Sequence, residues 1–134
     1  METDLMIDEI DSIHKKANLA FEHKDISAYM SQFDENLKYS NADATTLTKN
    51  ELSLQTENYF KRIKDITTTY YRIKSSFEDE TFTEKIARKS IVHLKNLIIF
   101  SKKQTIQTEE IFHWKKINGE WKVLEVEVAL EEKY

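Results

Sequence analysis

The single glycine of the chain, Gly119, directly follows Asn118, and this pair constrains the fold more than any other feature. Asn-Gly is the strongest two-residue hairpin signal, because a type I′ turn needs φ > 0 at both central positions. The flanking segments, Thr105 to Ile117 and Glu120 to Val128, are rich in β-branched and aromatic residues. A long C-terminal β-hairpin is therefore expected, and its register sorts every side chain onto one of two faces.

Upstream, the order is helices first and strands afterwards. Met6, Ile10, Ile13, Ala17, Ala20 and Phe21 recur at steps of three and four, which predicts a first helix ending near His23. Asp25 can cap a second, shorter helix with Ile26, Tyr29, Met30 and Phe33 on one face. A short strand is expected at 37–41. Thr48 and Glu51 then form a capping box that opens a third helix, with Leu52, Thr56, Tyr59, Phe60 and Ile63 as its buried stripe. From Thr67 the helical period stops, and β-rich segments at about 68–77 and 85–100 precede the hairpin. Three helices feeding a mainly antiparallel sheet is an α+β plan. A length of 134 residues, with no proline and no evident linker, suits one domain over residues 1–134.

Composition removes several kinds of chemistry. Without cysteine there is no disulfide, thiolate metal site or cysteine nucleophile. A net charge of -4 argues against a dedicated nucleic-acid binder, which needs a concentrated basic surface. His14, His23 and His93 are scattered, without His-x-x-x-His spacing, so no metal site is expected. One glycine is too few for a phosphate loop or dinucleotide fingerprint, and no cofactor is expected. The acidic N-terminus lacks a signal-peptide pattern, and no run approaches the ~20 apolar residues that span a bilayer. A cytoplasmic protein without membrane contact is the expectation.

The order α-α-β-α followed by four long strands, the segment Phe21 to Phe33 with its short acidic turn between helices, and Asn118-Gly-Glu-Trp-Lys-Val123 together resemble the NTF2-like superfamily, in particular its SnoaL-like and steroid-isomerase-like members. The resemblance implies a strongly curved sheet that wraps the three helices into a cone with an internal pocket, and an outer sheet face that often forms a homodimer. Laid without gaps against steroid-isomerase-like members, the general-base aspartate falls on Asn41 and the oxyanion-hole tyrosine on Ala17. Neither residue can do that work, so proton abstraction by that machinery is not expected.

A two-residue turn pairs Ile117 with Glu120 and, continued outward, His113 with Leu124, Ile111 with Val126 and Glu109 with Val128. The opposite face carries Trp114 with Val123, Phe112 with Glu125, Glu110 with Glu127, and Trp121 with Lys116. The aliphatic face is assigned to the interior, because it reads as core and because the resemblance sets equivalent positions against the pocket. On that assignment Ile111, His113, Leu124 and Val126 line a ligand site, and Tyr39, Asn41 and Tyr59 supply its orienting hydrogen bonds, with Tyr70, Tyr71 and His93 as further polar residues. Phe112, Trp114 and Trp121 would then form an outer partner surface.

The functional expectation is binding of a small apolar or amphipathic molecule, with homodimerisation through the sheet. One alternative is an enzyme of lyase, isomerase or hydrolase type that uses His113 oriented by Glu109, or an acid from Glu110, Glu125 and Glu127. Another is a protein-protein interaction module.

Overall fold

The computed structural model describes residues 2–95 and 102–134. Its elements are α1 (Glu2–Glu22), α2 (Ile26–Met30), β1 (Phe33–Ser40), β2 (Thr46–Leu47), α3 (Lys49–Arg62), β3 (Ile63–Glu78), β4 (Thr81–Leu94), β5 (Lys102–Ile117) and β6 (Glu120–Lys133). Both expected caps form. Asp25 accepts from the Ala28 amide at the start of α2, and Thr48 and Glu51 satisfy each other's backbone N–H at the start of α3. The first strand starts earlier than expected, at Phe33, because α2 stops at Met30. Ile63 ends the α3 stripe as the first residue of β3. The part of the expected 85–100 strand beyond Lys95 lies outside the described residues.

One six-stranded sheet has the order β2-β1-β6-β5-β4-β3. It is antiparallel except where β1 runs parallel to β6. The three helices precede the long strands in the chain, and α1 packs on β3 while α3 packs on β1. No helix among the described residues is long and apolar enough to cross a membrane.

The Asn118-Gly119 turn forms with φ of 53° and 82°. A second hairpin of the same hand joins β3 to β4 through Asp79 and Glu80, at φ of 51° and 65°. Asp79 suits a positive φ, but Glu80 stands where glycine normally follows it, so the sequence carries only half of the hairpin signal.

The C-terminal hairpin keeps the expected register from Ile117↔Glu120 to Trp114↔Val123, then shifts by one residue. Beyond the shift His113 pairs with Glu125, Phe112 with Val126, Ile111 with Glu127 and Glu110 with Val128. The extra residue is a β-bulge, and it changes which β6 side chains share a face.

This overturns the expected assignment of faces. Phe112, Trp114, Trp121, Val123, Val126 and Val128 are buried, and all but Val128 join Met6, Ile10, Met30, Phe33, Leu37, Leu52, Phe82 and Ile86 in the main core. Phe112, Trp114 and Trp121 therefore lie inside the cone and cannot form an outer partner surface. Ile111 and His113 alternate with them and turn outward, half-buried. The physical reason is size: each aromatic ring can remove ~150–250 Å² from water, more than an isoleucine or leucine. The bulge makes this arrangement tolerable, since it swings Glu125 and Glu127 away from the aromatic side and brings Val126 and Val128 to it. The expected facing pair of Glu110 and Glu127 does not exist.

Candidate functional site

Between α1, α2, α3 and the inner face of the sheet lies a cavity of about 290 Å³. It falls near the lower end of the ~300–1,000 Å³ range of small-molecule sites. Phe21, Phe33, Leu52, Ile66, Ile106 and Phe112 give it apolar walls, and Asn18, Thr68, Ser90 and Thr108 add polar points.

Two charged constellations border it. The first centres on Glu84 of β4, almost fully buried at 1 % exposure. Glu84 Oε2 lies 2.6 Å from His14 Nε2 and accepts from Trp114 Nε1 at 2.6 Å, while Oε1 accepts from Arg72 Nε at 2.8 Å. Arg72 continues outward to Asp11. Burial raises the Glu84 pKa, but the hydrogen bond and charge of His14 and those of Arg72 outweigh it and hold the carboxyl below its ordinary value. An ionised carboxylate only accepts, so a neutral His14 carries its proton on Nε2 and keeps a lone pair on Nδ1. That nitrogen has no protein partner among the described residues. The ring itself is held by Phe112 and Trp114, edge-on at 5.1 and 5.2 Å, and by Tyr70 at 5.8 Å.

The second constellation is Arg88 with Glu110. Arg88 Nε donates to both Glu110 oxygens, at 3.1 and 3.2 Å, and Thr108 Oγ1 donates to Oε2 at 2.7 Å. The guanidinium lies over the Tyr70 ring at 5.3 Å. Three tyrosines complete the polar lining. Burial pushes Tyr29 up to about 12, with Arg88 lowering and Glu110 raising it. Burial likewise holds Tyr39 well above the ordinary phenol value and raises Tyr59. All three stay protonated donors at neutral pH. The buried Tyr59 hydroxyl has no hydrogen-bond partner among the described residues.

Of the residues singled out from sequence, Tyr39, Asn41 and Tyr59 line this cavity, as does Ala17. The Asn41 amide is tied into its own loop by a 3.1 Å bond to Thr45 Oγ1. Val126 is buried in the core but does not line the cavity. Ile111, His113 and Glu109 are on the other side of the sheet, and Leu124 occupies the bulge. There His113 Nδ1 meets Thr83 Oγ1 at 3.2 Å, and Glu109 pairs with Lys85 at 3.0 Å instead of orienting the histidine. Glu125 is on the outer side as well, opposite His113.

His14, Glu84, Arg88, Glu110 and Tyr29 were not singled out for the cavity from sequence. His14 did carry a signal, since it falls four residues after Ile10 and three before Ala17, on the buried stripe of α1. Glu84 stands between Phe82 and Ile86 in an alternating apolar row. A charged residue on an otherwise buried row needs a partner. Here the partners come from segments 12 to 70 residues away, which no local pattern reveals.

No family model matches the sequence, and no curated protein matches it. Solved structures do. A conserved protein from Planctomyces limnophilus is similar over 100% of both chains, with TM-score 0.86 and 11% identity. A scytalone dehydratase-like protein from Novosphingobium aromaticivorans matches 98% of this chain and 89% of its own, with TM-score 0.85 and 12% identity. A hexachlorocyclohexane dehydrochlorinase from Novosphingobium barchaimii matches 100% of this chain and 94% of its own, with TM-score 0.77 and 10% identity. At such identities the likeness speaks for architecture alone: three helices on an open, mostly antiparallel six-stranded sheet, the NTF2-like α+β cone fold.

Proposed function

We propose that the cone holds a small, largely apolar molecule and that His14, oriented by Glu84, acts on it as a general base in a lyase- or isomerase-type reaction. The observation that carries this reading is the 2.6 Å pair of His14 and Glu84 at the wall of an aromatic-lined cavity. Glu84 fixes the tautomer and stabilises the imidazolium that forms when Nδ1 takes a proton, a contribution of roughly 10²–10⁴-fold. In an elimination, Nδ1 removes a proton from carbon, the C–H electron pair becomes the new double bond, and the leaving group departs from the adjacent carbon with its bonding pair. The names of two similar structures denote losses of water and of hydrogen chloride, which belong to this class. The enzymatic alternative raised from sequence beside small-molecule binding is taken up, with the acting pair moved from His113 and Glu109 to His14 and Glu84.

The test is enzyme-dependent deuterium exchange at the α-carbon of 2-tetralone in D₂O, followed by NMR alongside elimination assays on a β-hydroxy ketone and on γ-hexachlorocyclohexane. Turnover of any of the three by the native protein, lost in folded His14→Gln, supports the reading. A folded native protein no faster than buffer on all three, or equal rates in the variant, rejects it.

A second element of the reading is association. Half-buried Ile111 and His113, neighbours on the outer side of the sheet, offer a surface for a second copy in place of the aromatic residues expected there. Sedimentation at micromolar concentration, compared with Ile111→Lys, tests it: a native monomer would dismiss the homodimer.

A further inference from the structure

The Arg88–Glu110 pair has a consequence for ligand charge. A guanidinium carries more N–H donors than one carboxylate can take. Only Arg88 Nε engages Glu110, Nη1 reaches Asn18 Oδ1 at a long 3.5 Å, and Nη2 has no protein partner among the described residues. Both residues line the cavity, with side chains only 22 % and 11 % exposed. The terminal nitrogens are thus donors for whatever occupies the cavity, while their charge is already neutralised by Glu110. Behind His14, the group formed by Arg72, Glu84 and Asp11 is one negative charge in excess. An anion entering the cavity would lose its water, compete with Glu110 for Arg88 and face that excess. A neutral molecule with an acceptor oxygen or halogen would satisfy the free donors without that penalty. Arg62, Glu131 and Lys133, which also border the cavity, leave a positive balance, but Arg62, Glu131 and Lys133 are exposed and screened by salt.

We propose that Glu110 is the specificity-determining residue of this cavity: by masking Arg88 it restricts the site to uncharged, acceptor-bearing ligands and excludes carboxylates. The inference rests on the cavity being a ligand site, as in the proposed function, but not on proton transfer.

The experiment measures binding of 2-naphthamide and 2-naphthoate by calorimetry at low salt. The native protein should bind the amide at least tenfold more tightly than the carboxylate. Glu110→Gln, which keeps the shape and removes the charge, should reverse that order by unmasking Arg88, and Glu110→Gln combined with Arg88→Gln should cancel the gain for the carboxylate. Equal or tighter binding of naphthoate by the native protein overturns the proposal, as does a folded Glu110→Gln with no gain for naphthoate, or the absence of binding by either probe. If Glu110→Gln does not fold, the native amide-to-carboxylate ratio decides alone. A protein that discriminates the probes but turns nothing over keeps this inference and loses the catalytic one. Turnover of a carboxylate substrate does the reverse.

Discussion

Trp114 donates its indole N–H to Glu84 Oε2 at 2.6 Å, the same oxygen that meets His14. The largest fully buried side chain of the molecule is thereby both core filler and hydrogen-bond donor to its most buried carboxylate. Trp114→Phe keeps most of the apolar volume but removes the donor. It should cost about 2–4 kcal/mol in urea unfolding, more than ring size alone explains, because an ionised acceptor loses a partner.

Glu84 links stability to pH with a definite sign. Its folded pKa lies below the ordinary 4.5, through His14 and Arg72 acting against burial. A depressed folded value means the stabilisation is present above the unfolded value and is lost as pH falls through the folded one. Native stability should therefore decline from about pH 4.5 downward. Glu84→Gln should decline less over that window, while losing about 3 kcal/mol at pH 7, because Arg72 loses a buried counter-charge and the donors around it lose an ionised acceptor. Unfolding midpoints measured from pH 7 to pH 3 check both statements. An unchanged acid slope would remove Glu84 from the account.

Tyr59 keeps its hydroxyl buried without a partner among the described residues. In the ligand-free protein Tyr59→Phe should raise stability by about 1 kcal/mol, since the penalty of an unmade hydrogen bond disappears. Thermal unfolding reads this directly, and a loss of stability would mean that the hydroxyl is bonded in solution.

The two hairpin turns predict opposite responses to glycine. Glu80 stands at φ 65°, so Glu80→Gly should stabilise by about 0.5–1 kcal/mol, the left-handed strain relieved less the added freedom of the unfolded chain. Gly119 stands at φ 82° with nothing within 4 Å of an added Cβ, so Gly119→Ala should cost about 1 kcal/mol from backbone strain alone. Paired chemical denaturation of both variants tests the assignment of the turns.

The helices, their caps and the Asn118-Gly119 turn were legible because their signals are local. Asp25 and Thr48 act within three residues of themselves, and Met6, Ile10 and Ala17 repeat with the helical period. The Asp79-Glu80 turn was not legible, since Glu80 takes the place of the usual glycine and is held at positive φ by the strands the turn joins. The face of the sheet was misread for a more instructive reason. Alternation tells which side chains lie together but not which side meets the helices, and the aliphatic row of Ile111, Leu124 and Val126 looked more like core than a row interrupted by Glu110, Glu125 and Glu127. The bulge after Val123 moved two of those glutamates off the row, and Arg88 answered the third. Tyr39 and Asn41 were expected at a pocket through family resemblance and Tyr59 as an amphipathic side chain, whereas the pairing of His14 with Glu84 spans 70 residues and belongs to the tertiary fold alone.

The bulge near Leu124 acts as a phase switch for the strand that carries it. Residues before it, Trp121 and Val123, keep one parity of numbering on the inside, and residues after it, Val126 and Val128, keep the other. Closing the bulge at constant length would turn the rest of β6 over, sending Val126 and Val128 to the outside and Glu125 and Glu127 into the cone, whereas deleting Leu124 would leave plain alternation with Val126 and Val128 still inside. A one-residue length difference between distant relatives at this position would therefore preserve both the strand and its linings, while an ungapped alignment across it would exchange them. At identities near 10%, equivalence along β6 has to be carried by the side each residue faces instead of by its place in the row.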